Sequence, residues 1–272
     1  MFLPENIDLA HSEKYTLSVR LLPNGFSFCI YSPTDPAVFS YKETAFGNRL
    51  SYTDNVKKMI FDLGFLSQVF RKTEVVLVSD RFTLLPAPFF EAKSAGEVFG
   101  FNFLREEGET VLCNKLSCNN IALLFGMDEE IHAFLLRSLW NPIFTHPMAR
   151  FIPAFLACED EKNGKRCHVD FQDSMLSVVC LNGDKLLSAN VFSYSDASDA
   201  LFYIVSVWEK QGLNQLVDSL YLSGKVEKQK YTVEILRKLI KNVKPMNFSL
   251  KTPIPQEDAA SVPTDLKMDL CG

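Results

Sequence analysis

His168 and Asp170 stand two residues apart in the run Arg166 to Phe171, which alternates as a strand and therefore places both on one face. An imidazole and a carboxylate on one face can form a general base with its orienting group, or two ligands of a metal. Both chemistries need a third partner, and none is evident nearby. The pair reads more simply as the polar side of a sheet strand. His132 falls inside an amphipathic helix pattern, and His146 sits between Thr145 and Pro147 where a helix begins, so both read as structural. Cys113 and Cys118 lack a second Cys or His pair at zinc-ligand spacing, which argues against a metal site. No Gly-x-Ser-x-Gly elbow, phosphate-binding P-loop, His-Glu-x-x-His helix or dinucleotide glycine fingerprint occurs.

A chain of 272 residues is long enough for two lobes, or for one lobe with an insertion. With 28 Lys and Arg against 33 Asp and Glu, the net charge of −5 offers no basic footprint for nucleic acid. The 23 Phe promise cores filled with rings. Seven cysteines are an odd number, and Cys29, Cys113, Cys167 and Cys180 lie in apolar strand patterns, so reduced core thiols in a cytoplasmic protein are expected. Met1 to Asn6 lack a charged stretch followed by an apolar run, so no signal peptide is expected, and no stretch has the length of a membrane span.

The elements that position these residues form one unit written twice. Arg166 to Phe171 is followed by the corner Gln172-Asp173-Ser174, a second strand from Met175 to Leu181, an Asn182-Gly183 turn and a third strand from Lys185 to Tyr194. Ser195 and Asp196 cap a helix with Leu201, Ile204, Val205 and Trp208 on one side, Gly212 stops it, and Val217 to Leu222 is a short buried strand. The same order occurs from 15 to 79: strands Tyr15 to Leu22, Phe26 to Tyr31 after Asn24-Gly25, and Ala37 to Thr44. A helix capped by Thr53 and Asp54 and a strand from Val75 to Ser79 complete it.

Between the copies, residues 86–142 read as an inserted α+β segment, with a helix over Phe89 to Phe99, an antiparallel pair Thr110 to Leu116 and Asn120 to Phe125, and a helix opened by Asp128. Ile143 to Thr145 returns a strand to the first sheet, Pro147 starts a helix, and Glu159 to Lys165 reads as a linker. The first lobe is thus 1–85 with 143–160, and the second is 165–250. Val226 to Asn242 is a predicted helix, Met246 to Leu250 a predicted edge strand, and the Pro-rich tail 251–272 is expected to be flexible.

Three antiparallel strands, a helix and a parallel fourth strand, in two lobes with an insertion in the first, resemble the α/β actin-like ATPase fold, a duplicated ribonuclease H-like unit. More narrowly, Tyr15 to Ile30, Val75 to Pro86 and Val169 to Gly224 resemble an uncharacterised Bacteroidota family thought to adopt that fold, and the architecture is similar to the scaffold proteins of pilus assembly and secretion platforms. The resemblance implies nucleotide chemistry at three places. The first-lobe turn that carries Asp-x-Gly in the family reads Arg20-Leu21-Leu22-Pro23 here, so a cation replaces the carboxylate that organises magnesium. In the second lobe Asp170-Phe171-Gln172 keeps the acid and replaces the glycine. After the fourth strand, Leu222-Ser223-Gly224-Lys225 keeps one glycine of two. A nuclease carboxylate set is incomplete in both lobes, with Asp170 unaccompanied by an acid at Leu222 to Gly224, and Asp80 after the fourth strand of the first lobe with Arg20 where its first strand needs an acid.

These readings lead to a binding or scaffold protein without a resident cofactor and without metal. Its partner is expected to be another protein, docked through the tail or the inserted segment. The alternative is a nucleotide binder or slow ATPase that holds ATP and magnesium through Asp170, Gln172, Ser223 and Gly224.

Overall fold

The structure, a computed structural model, describes residues 7–35, 37–116, 118, 120–158, 164–248, 254 and 261–271. Two compact units divide the chain, one taking in Met1–Leu116 and Asn120–Ala149, the other Arg150–Lys251 and Ala260–Gly272. Most of the predicted linker, 159–163, lies outside the described residues. Among the described residues no helix is long and apolar enough to cross a membrane.

In the first unit, β1 (Thr16–Leu22), β2 (Gly25–Tyr31) and β3 (Phe39–Ala45) form an antiparallel meander, and β4 (Lys72–Leu77) returns parallel to β1 after α1 (Tyr52–Asp62). The α1 cap is Ser51, whose hydroxyl accepts from Asp54 N at 3.0 Å, two residues before the predicted Thr53-Asp54 pair. Leu17, Val19 and Leu21 of β1 and Phe26, Phe28 and Ile30 of β2 bury themselves against Val56 and Ile60 of α1. Alternation in these strands therefore points one side at a helix layer, as period two requires.

Within the first unit a separate three-stranded sheet forms from β5 (Phe82–Pro86), β6 (Glu109–Leu116) and β7 (Ile121–Asp128), in the order β5-β7-β6. The helix predicted over Phe89 to Phe99 shrinks to α2 (Ala95–Gly100), behind single turns at 87–89 and 92–94. Pro88 and Gly96 keep the segment's helix propensity too low for more. Arg81 anchors the insert: its Nε and Nη2 each donate to a Glu109 oxygen at 2.9 Å, and its guanidinium stands 5.7 and 5.3 Å from the Phe99 and Phe103 ring centroids. After α3 (Glu129–Ser138), capped by Asp128, β8 (Pro142–Thr145) pairs parallel with β4 as expected. The sheet order is β3-β2-β1-β4-β8.

The second unit takes α4 (Met148–Ala157) from Arg150 onward and repeats the pattern. β9 (Lys165–Phe171), β10 (Met175–Asn182) and β11 (Lys185–Ser193) are antiparallel, and α5 (Ala197–Lys210) leads to β12 (Ser219–Gly224), parallel to β9. Asp196 caps α5, accepting from Ser198 N and Asp199 N. The β10–β11 turn is Gly183-Asp184 rather than Asn182-Gly183: Asn182 pairs with Lys185, and Gly183 alone takes the left-handed φ of 57°. β12 starts two residues later than predicted, which leaves Val217 exposed. α6 is confined to Lys230–Leu239, and the edge strand is β13 (Asn242–Pro245); of the predicted strand Met246 to Leu250, residues 246–248 are not strand and 249–250 lie outside the described residues. The order β11-β10-β9-β12-β13 matches the first sheet strand for strand.

Of the predicted tail 251–272, residues 251–253, 255–260 and 272 lie outside the described residues; the described end of it is helical where a flexible tail is expected. Residues 264–271 form α7 (Thr264–Cys271), with Val262, Leu266 and Leu270 buried. Leu266 and Leu270 share a face at one-turn spacing, and Asp265 and Asp269, one turn apart on another, both reach Arg150 of α4 at 3.3 and 2.7 Å. With these contacts, residues 262–270 are part of the second unit's packing. Leu266→Ala is accordingly expected to lower unfolding free energy by about 2–5 kcal/mol in urea titration; an unchanged midpoint would show that α7 contributes nothing.

Candidate functional site

β9 decides the layout of the second unit, because its faces differ in kind. Cys167, Val169 and Phe171 enter the core with Ile204 and Trp208 of α5 and Val233 and Leu236 of α6. Arg166, His168 and Asp170 point the other way, to the side where Phe155 and Arg150 of α4 and Thr264 and Asp265 of α7 lie.

The four sequence-derived residues converge. The Asp170 side chain is fully buried. Ser223 Oγ donates to its Oδ1 at 2.8 Å, and Gln172 Nε2 donates to Oδ2 at 2.6 Å. Parallel pairing of β9 with β12 sets Asp170 beside Ser223 and Phe171 beside Gly224, so the strand register itself assembles the cluster. Gly224 has φ +77°, and a Cβ there would lie 2.1 Å from the Phe171 carbonyl oxygen. Its missing side chain thus accommodates the protein's own β9 backbone, to which Lys225 N also donates at 2.7 Å.

The turn around Gln172 is pinned as well. Tyr194 Oη donates to Gln172 O at 2.6 Å, and Asp173 pairs with Lys225 and Lys228. Burial pushes the Asp170 carboxyl above the usual range, while Thr264, Gln172 and Ser223 pull it back; the Thr264 hydroxyl lies close without a well-directed hydrogen bond. The geometry can hold a carboxyl group firmly between strand ends. Both of its oxygens already have protein partners.

Two residues away the same strand face is aromatic. The His168 ring lies between Phe155 and Tyr221, with centroids at 4.2 and 4.9 Å and planes within 10° and 13°. It shares a face with Asp170 as the alternation requires, yet among the described residues neither ring nitrogen has a hydrogen-bond partner, so the base-and-orienter pairing does not form. Burial, assisted by the Arg166 charge, pushes its pKa down to about 3. Arg166 is itself buried and donates to Gly183 O at 3.0 Å and Phe155 O at 3.3 Å.

In the first unit the position matching Asp170 is Arg20, buried and opposite Ser27 in β2. His146 is structural: Nδ1 accepts from Met148 N at 3.2 Å, so Nε2 carries the proton donated to Ser79 O at 2.9 Å. His132 packs edge-on against Phe144. Among the described residues no three Cys, His, Asp or Glu gather as a metal would need. Residues the sequence did not single out are Arg150, Thr264 and Asp265, and the aromatic neighbours of His168. For α7 the usable signal was the four-residue spacing of Leu266 with Leu270 and of Asp265 with Asp269.

Two outcomes follow from these contacts. Gly224→Ala meets both a left-handed φ and the Phe171 carbonyl, so it is expected to cost about 2 kcal/mol or more and to lower Tm by roughly 5 °C, read by calorimetry. His168, with a folded pKa depressed from 6.5 to about 3, contributes stability that is fully present above 6.5 and lost as pH falls through that window. His168→Phe is therefore expected to flatten the acid limb of the stability–pH curve between 6.5 and about 3; superimposable limbs would refute it.

Among curated proteins no match is found. Among solved structures, a Bacteroides thetaiotaomicron VPI-5482 protein with actin-like ATPase fold and unknown function is similar over 98% of this chain and 99% of its own, at 28% identity and TM-score 0.83. The PilM-PilN type IV pilus biogenesis complex contains a chain similar over 94% of this one and 96% of its own, at 13% identity and TM-score 0.57, a likeness of fold alone. The duplicated sheet order and these likenesses establish the actin-like ATPase fold. Residues 4–243 match the pattern of a family described as protein of unknown function (DUF3822), and the chain belongs to that family.

Proposed function

We propose that this chain is a non-catalytic binding or scaffold protein on an actin-like frame, working in the cytoplasm. The observation that carries this reading is the Asp170 carboxyl, whose two oxygens are engaged by Ser223 and Gln172 where the fold resemblance would have it organise a metal. Arg20 in the matching position of the first unit supports it, since a buried guanidinium repels magnesium. Another protein is the expected partner. The inserted segment is the better docking element of the two expected ones, because it leaves Phe89, Phe101 and Leu104 exposed by 75%, 88% and 91%, whereas 262–270 are packed. The fold is also that of a chain in the PilM-PilN complex, a precedent for protein docking on this frame and not for any particular partner. Free thiols at Cys29, Cys113, Cys118, Cys158, Cys167 and Cys180 fit a reducing compartment.

One observation favours the second reading, a nucleotide binder or weak ATPase: Asp170, Gln172, Ser223 and Gly224 do meet at one place. A thermal melt with millimolar magnesium-ATP separates the two. Ligand at about 100 times its dissociation constant adds about 2.7 kcal/mol, a rise of roughly 5–10 °C for a chain of this size. A change within about 1 °C is expected; a rise of the larger size that disappears in Asp170→Ala would overturn the scaffold reading.

A further inference from the structure

An open sheet edge offers N–H and C=O groups to any strand that can reach it, so edges are usually guarded by charge, proline or shortness. Three of the four edges of the two five-stranded sheets are guarded in this way. β3 holds Lys42 and Glu43, and β8 and β13 have four residues each, with Pro142 and Pro245. The fourth edge, β11, has nine residues, and from Leu186 to Ser193 it holds neither charge nor proline. Its irregularity, an extra residue at Leu187 beside the turn, leaves Ser188 to Ser193 in unbroken register with β10. Tyr194 N donates to Ser174 O at 3.0 Å, so alternation turns the backbone groups of Asn190 and Phe192 toward β10 and those of Ala189 and Val191 outward. Among the described residues nothing bonds to those outward groups.

The ends and the flank of the strand indicate what covers it. Lys185, exposed, begins β11, and Asp196, also exposed, stands just beyond its end as the cap of α5. An antiparallel neighbour of the same sequence sets each Lys185 by the acidic end of the other strand, whereas a parallel one sets like against like. A two-fold axis at Asn190 meets both outward residues at once: Ala189 of each copy exchanges N–H···O bonds with Val191 of the other, and Lys185 comes beside Ser195 and Asp196. On the helix side of the strand, the Phe192 ring stacks on Tyr203 of α5 at 4.4 Å, and Phe202 meets Tyr203 edge-on at 5.6 Å. This aromatic run ends in Phe202, 66% exposed, the kind of apolar surface that an interface covers. We propose that two copies of this chain pair through β11, antiparallel about that axis, joining their second-unit sheets into one of ten strands, five from each copy, with Phe202 packed across the interface. The interface shares no residue with the Asp170 cluster and does not depend on the scaffold reading.

Sedimentation velocity of the intact chain from about 1 to about 100 µM reads the pairing. The expected result is a reversible shift from 30.8 kDa to twice that mass. Val191→Pro removes an outward N–H and leaves the β10 ladder whole, and Phe202→Ser removes the aromatic rim; each is expected to weaken pairing by about tenfold or more with the far-UV circular dichroism unchanged. If Val191→Pro does not fold, Phe202→Ser carries the comparison alone. At the axis the two Asn190 form a non-hydrogen-bonded pair with Cα atoms about 4.5 Å apart, within disulfide reach. Asn190→Cys is therefore expected to give a disulfide-linked dimer with diamide, which the parent and Lys185→Cys, whose two copies lie roughly 30 Å apart, do not give. A chain that stays at 30.8 kDa throughout would overturn the proposal and leave the edge to a strand of some other protein. Assembly that continues beyond two copies, pairing unchanged in the folded variants, or a cross-link through Lys185→Cys and not Asn190→Cys would overturn it equally.

Discussion

A carboxyl group buried on a strand face has to be met by polar partners, and meeting Asp170 shapes the second unit of this protein. Ser223 comes from the neighbouring parallel strand and Gln172 from the turn that ends the same strand, while the Thr264 hydroxyl, from a helix far along the chain, lies close to the group without a well-directed hydrogen bond. Each restricts where its element can lie. The Ser223 contact fixes the end of β12, Gly224 then packs on the β9 carbonyl, and the Gln172 turn is locked through Tyr194, Asp173, Lys225 and Lys228. Breaking one partner leaves a buried oxygen short of a bond, at a cost of about 1–3 kcal/mol.

The same face of β9 also explains why α4 and α7 must be there. Arg166, His168 and Asp170 are too polar for a second hydrophobic layer of the kind that α5 and α6 form with Cys167, Val169 and Phe171. Helix α4 answers with a ring over His168 and a carbonyl for Arg166, and α7 answers with Thr264 while Asp265 and Asp269 neutralise Arg150. Buried ion pairs of this sort specify position more than they add stability. In the first unit the matching strand carries Arg20 instead of Asp170, so the two lobes share topology while their polar centres differ in sign.

Much of this was legible in the sequence for a physical reason. Period-two alternation in Arg166 to Phe171 and period-3.6 spacing through Leu201, Ile204 and Trp208 report burial directly, and a repeated order of such elements reports the duplicated fold. The convergence of Asp170, Gln172, Ser223 and Gly224 was legible too, because adjacent parallel strands bring their ends together. Turn placement was less so: Asn182-Gly183 marks a hairpin, but bulge and pairing set which residues turn, and Gly183 with Asp184 won. Helix α7 was missed because its eight residues follow a Pro-rich acidic stretch and its partner Arg150 is 115 positions away. The aromatic enclosure of His168 is likewise a tertiary fact, assembled from Phe155 and Tyr221 on separate elements.

Hydrogen exchange at the α7 amides, compared with those of β9, with and without magnesium-ATP, bears most directly on a protein-filled polar centre. If Asp170, Arg150 and α7 form one packed centre, the amides of Leu266 to Leu270 exchange as slowly as those of the strand, through the same opening, and nucleotide leaves both unchanged. Exchange at the rate of a free peptide, or protection around Asp170 that appears only with magnesium-ATP, would contradict it and show a site kept for nucleotide.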